Sequence, residues 1–104
     1  MLMVFVTCDG KEQAEYLADK LVGEGHAACV NIVPEVRSCY VWDGRLTWSD
    51  ELLLMIKTTR ERFEALKERI SELHSYEVPE IVGVPIEAVA ERYLEWVRGS
   101  VKAS

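Results

Sequence analysis

The chain predicts an α+β domain built on an antiparallel sheet, and three observations predict it. Short β-branched and aromatic runs alternate with stretches in which apolar residues recur every three or four positions. Asp43-Gly44 stands between two long β-rich arms, a strong short-range hairpin signal. The chain has 104 residues, 49% of them hydrophobic and 29% charged. That is the size and composition of one domain able to bury a core without staples, so residues 1–104 are read as a single domain.

Leu2 to Thr7 is a short apolar run of β-formers and reads as a strand covered on both faces. Asp9 opens a helix, and Glu12 three residues later completes a capping-box pattern. Ala14, Leu17, Ala18, Leu21 and Val22 follow at helical spacing, and Gly25 is a natural C-terminal stop. Ala27 to Trp42 is the first hairpin arm, in which Pro34 predicts a bend or a bulge. Arg45 to about Thr58 is the returning arm, with Leu52 to Ile56 as its buried part. Thr59 caps a second helix striped by Phe63, Leu66, Ile70 and Leu73. Pro79 removes a donor and disfavours helix at Val78, so this helix ends near His74 and a fourth strand runs from Glu80 to Ile86. Ala88 to Val101 reads as a last helix, with Val89, Tyr93, Val97 and Val101 on one face.

The order β-α-β-β-α-β-α begins with the split β-α-β pattern of ferredoxin-like folds, in which the first and third strands lie at the sheet centre. Those are the two strands with the most continuous apolar runs. The first hairpin arm, at about 15 residues and roughly 3.3 Å each, is about 50 Å long. A compact domain of this size has a radius of gyration near ~13 Å, so the arm overhangs its own core. Its tip carries Tyr40, Trp42 and Trp48. Exposed aromatics on an unpaired hairpin are an aggregation liability that packing against another subunit removes. These residues are therefore expected at an oligomer interface of closed symmetry.

Composition narrows the function classes. A formal net charge of −6 disfavours a nucleic-acid backbone as partner. No apolar run approaches the ~20 residues that cross a bilayer, and the N-terminus has no basic segment of the signal-peptide kind. Three cysteines cannot pair fully within one chain and no C-x-x-C is present, which suits reduced thiols and a cytoplasmic location. No phosphate-binding glycine loop is present, and nothing supplies a nucleophile, base and oxyanion pocket together, so the chain is not read as an enzyme.

Chemistry concentrates in the stretch Glu72 to Ile81, which places His74, Tyr76, Glu77 and Glu80 around Pro79 at the end of an element. His74 is the best single ligand for copper or another divalent cation. Cys29 is the second candidate, in the H-x-x-C sequence His26 to Cys29. Ten extended residues, about 33 Å, keep Cys29 and Cys39 of one chain from sharing an ion. A tight site therefore draws ligands from more than one subunit. Lys57, Tyr76, Glu77 and Glu80 form a second candidate, either a small-ligand or anion pocket or a set of ion pairs in an intersubunit cleft.

Several segments together resemble the CutA family of divalent-cation-tolerance proteins. They are Leu21 to Pro34, the hairpin tip Ser38 to Leu46, the strand Leu53 to Thr59, the block Leu73 to Glu80, and Tyr93 to Val97. They lie in the family's order and cover nearly the whole chain. The resemblance implies a ferredoxin-like subunit in a homotrimer, architecturally akin to the PII signalling proteins, with a role in tolerance of copper and other divalent cations. It also leaves room for a PII-like module that senses a small molecule or docks a partner protein, and for a trimeric scaffold. Departures are visible. Ser75 stands where the family usually has proline, Val6 where some members carry a metal-binding cysteine, and His26 where leucine is common.

Overall fold

The structure, a computed structural model, describes residues 1–102. In chain order its elements are β1 (Leu2–Cys8), α1 (Lys11–Gly23), β2 (Cys29–Trp42), β3 (Arg45–Thr58), a 3-10 turn (Arg60–Arg62), α2 (Phe63–Leu73), β4 (Val82–Pro85) and α3 (Glu91–Ser100). The four strands form one antiparallel sheet in the order β2-β3-β1-β4. β1 and β3 are central, as the length of their apolar runs predicts, and the arrangement is the ferredoxin-like split β-α-β fold.

Strand alternation decides where the core sits. Leu2, Val4, Val6 and Cys8 of β1 and Leu54 and Ile56 of β3 are buried on one face, against Ala14, Leu17 and Leu21 of α1 and Leu66 and Ile70 of α2. The intervening residues share the opposite face. Register places Met3 beside Lys57 and Val84, Phe5 beside Met55 and Val82, and Thr7 beside Leu53. This second face is apolar and only half covered, with Val82, Val84 and Val33 exposed. Val97 of α3 is fully buried without belonging to the core cluster between sheet and helices.

The hairpin is as long as its sequence predicts. Both arms have 14 residues and stay paired to Trp42 and Arg45. Asp43 (φ 51°) and Gly44 (φ 74°) make the turn, both with the positive φ that a two-residue hairpin demands. Pro34 marks a bulge. Val33 pairs with Leu53 and Val36 with Glu51, so Pro34 and Glu35 together face Leu52 alone, and Glu35 takes φ 61°. The molecule is accordingly elongated, 45 × 27 × 21 Å.

Several boundaries differ from the sequence reading. β2 begins at Cys29 rather than Ala27, and Thr59 precedes the 3-10 turn without a side-chain cap bond, leaving Arg62 as the N-cap of α2. Gly10, not Asp9, is the N-cap of α1, and no side chain caps it, so the capping box does not form. β4 begins at Val82, two residues later than expected, and α3 begins at Glu91 where the pattern predicted Ala88. The N-cap of α3 is Ala90, which makes no side-chain cap bond. Val89 and Val101 therefore fall outside the helix. Gly25 performs as expected. At φ 80° it closes α1 with its own amide bonded to Val22 O (3.1 Å) and the His26 amide bonded to Leu21 O (2.9 Å), the Schellman arrangement.

Candidate functional site

The block after α2 is tied down by His74. Its backbone amide ends the helix on Ile70 O at 2.8 Å, and its side chain turns back to β1. Nε2 lies 2.8 Å from the Thr7 carbonyl, which can only accept, and Nδ1 lies 3.0 Å from the Tyr76 amide, which can only donate. These partners fix the neutral tautomer with the proton on Nε2. His74 is 8% exposed, and its ring lies 4.6 Å, centroid to centroid, from the Tyr76 ring. Both nitrogens are thus occupied in holding the loop to the sheet. A metal reaching either one must displace a hydrogen bond.

Anchored this way, Tyr76 meets a residue that sequence reasoning missed. Its hydroxyl donates a 2.6 Å bond to Oε2 of Glu51, which is 6% exposed on β3 just past the bulge. Burial first, then the hydrogen bond to the Glu51 carboxylate and its charge, push the phenol far above its ordinary range. Burial, and then the charge of Glu51, also push the Glu80 carboxyl up. Glu51, Tyr76, Glu77 and Glu80 line one cavity of about 570 Å³ at the foot of the hairpin, with Thr7 behind them and Cys39, Tyr40 and Trp42 on the hairpin wall. Among the described residues, no lysine or arginine lines it. The sequence signal for Glu51 was present but slight. It is a carboxylate directly preceding the apolar run Leu52 to Ile56, at an alternation position shared with Leu53 and Met55.

Lys57 does not join this cavity. It lies six residues along β3 from Glu51, roughly 20 Å away. There it is paired with Cys29, its Nζ 3.9 Å from the Cys29 Sγ. Cys29 and His74 are likewise apart within one protomer. Cys29 shares a row with Lys57 and Met3, whereas His74 is bonded to Thr7, about 13 Å further along β1. His26 is engaged elsewhere, its Nδ1 accepting from the Arg62 guanidinium at 2.9 Å and its Nε2 lying 3.6 Å from Glu24. Among the described residues, no three His, Cys, Asp or Glu side chains of one chain gather as a metal would require. At the tip, Trp42 and Trp48 are half exposed and Tyr40 bonds Ser49 at 2.6 Å.

With the geometry in place, comparison with known proteins is decisive. Residues 2–100 match the family model described as CutA1 divalent ion tolerance protein. The chain belongs to this family. The divalent-cation tolerance protein CutA of Thermus thermophilus is 48% identical over 96 residues, covering 92% of this chain and 93% of that protein. The chloroplastic protein CutA of Arabidopsis thaliana is 41% identical over 101 residues, covering 97% of this chain. The chain spans only 56% of the length of that plant relative. Among solved structures, CutA1 from Oryza sativa superposes with a TM-score of 0.97 at 41% identity, covering 99% of this chain and 94% of that one. The family takes its name from tolerance of divalent ions and not from a catalytic activity.

Proposed function

We propose that this chain is the subunit of a homotrimer that takes up a divalent cation, copper foremost, in the acidic cleft at the foot of the β2–β3 hairpin. One observation carries the reading. Glu51 and Glu80 face a single cavity in whose lining, among the described residues, there is no cationic side chain. Carboxylates suit hard divalent ions, and Cys39 on the opposite wall adds a softer donor. Copper stands highest among the divalent first-row metals for sites of this mixed kind. One protomer offers too few ligands for a closed coordination shell, so the remainder come from water or a neighbouring subunit.

Assembly is supported by the half-covered apolar face of the sheet and by the aromatic hairpin tip, each of which a second copy would bury. His74 supports the site indirectly by holding Tyr76. Calorimetric titration with Cu²⁺ and Zn²⁺ tests the reading. A Glu51→Gln, Glu80→Gln double variant is expected to bind at least about tenfold more weakly, a loss of ~1.4 kcal/mol. Unchanged affinity in that variant would remove the cleft from consideration.

The cavity volume favours one further reading. About 570 Å³ with Tyr40, Trp42 and Tyr76 in its walls is the size and character of a small-molecule site, as a PII-like sensor would need. A thermal-shift screen against metabolites checks this, and a ligand whose stabilisation vanishes in Tyr76→Ala supports it.

A further inference from the structure

The pair left outside the cleft has a chemistry of its own. Cys29 and Lys57 are direct register partners across β2 and β3, so their side chains rise side by side from the same sheet face. Nζ lies 3.9 Å from Sγ. Lys57 is only 9% exposed, and among the described residues no carboxylate forms an ion pair with it. A buried ammonium is ordinarily paired with an anion or with several acceptors. Among the described residues its one side-chain hydrogen-bond partner is the Cys29 sulfur. On its β1 side the register partner of Lys57 is Met3, which carries no charge. The other two cysteines lack this setting. Cys8 is buried against the Gly10 carbonyl, and Cys39 is exposed on the hairpin.

We propose that Cys29 and Lys57 are a covalent modification site, at which dioxygen joins them through a reversible sulfur–oxygen–nitrogen bridge. In the forward step the thiol and the ammonium react with one dioxygen. The S–H bond and two N–H bonds break. One oxygen atom becomes the bridge, forming one S–O and one O–N bond, and the other leaves as water. Sulfur and nitrogen each give up two electrons to dioxygen, and the remaining ammonium proton passes to solvent. Two equivalents of a dithiol such as dithiothreitol, each oxidised to its disulfide, supply the four electrons that return thiol, amine and water.

The bridge would bolt the first residue of β2 to the central strand, 28 residues away in sequence, at the end of the sheet remote from the cation cleft. It is therefore independent of the function proposed for that cleft.

High-resolution intact-mass spectrometry of the full chain, held in air-saturated or in anaerobic buffer, tests it. The aerobic sample should gain one oxygen atom and lose two hydrogen atoms per chain. It should lose one titratable thiol and yield a proteolytic cross-link joining the peptides of Cys29 and Lys57. Dithiothreitol should reverse all three, and Cys29→Ser and Lys57→Arg should each abolish them. A Cys29 thiol that stays free in air would overturn the proposal. So would oxidation confined to sulfur that proceeds equally in Lys57→Arg.

Discussion

Single contacts decide how the loop after α2 is held. Among the described residues the Tyr76 hydroxyl is the one side-chain hydrogen-bond partner of the Glu51 carboxylate, and Glu51 is almost wholly buried. Tyr76→Phe keeps the ring and removes the donor, so it should destabilise the fold by about 1–3 kcal/mol in chemical denaturation. His26 gives a pH signature. Burial, then the charge of Arg62, hold its pKa below the ordinary 6.5, outweighing the opposing pull of Glu24. The unfolded chain therefore binds the proton more readily. Stability should fall as pH drops through 6.5, with the loss levelling off once His26 also protonates in the folded state. His26→Gln should flatten that segment of the stability–pH curve. At this scale the sequence was only partly legible. His74, Tyr76 and Glu80 stand out as a cluster of unlike polar groups around a proline. Glu51 does not, because its burial depends on a loop residue 25 positions further along the chain.

Elements were more legible, because periodicity and turn chemistry act locally. Asp43-Gly44, Pro34 and Gly25 each announce a backbone conformation, and each adopts it. Gly25→Ala tests this most simply. Its φ of 80° strains any side chain, and a Cβ there would lie 2.7 Å from the Lys102 Cγ, which must shift. The expected cost is about 1–2 kcal/mol, read from a thermal melt. Glu35→Gly, at φ 61° in the bulge, should instead be neutral or slightly stabilising by the same measurement. Element ends were less legible. The Asp9–Glu12 spacing mimics a capping box, yet the chain turns one residue later at Gly10. The Ala88 to Val101 stripe continues past both ends of α3, because apolar spacing does not show where hydrogen bonding stops.

The whole molecule presents an apolar sheet face and an overhanging hairpin, and both point to assembly. Sedimentation across a dilution series should show a closed oligomer that persists on dilution, and Trp42→Ser with Trp48→Ser should weaken it. A chain that stays monomeric at all concentrations would contradict this. Long-range placement was the part the sequence hid. Lys57 reads as a neighbour of Tyr76 and Glu80 until the register of β3 carries it to the far end of the sheet. Within one protomer Cys29 and His74 are set apart in the same way. What remains together is a cavity of carboxylates without a cation. The most direct test of its role is anomalous diffraction from crystals grown with copper. The account predicts a copper peak bonded to the carboxylates of Glu51 and Glu80 at the foot of the hairpin. A peak on His74 or Cys29 with that cleft empty, or no peak at all, would contradict it.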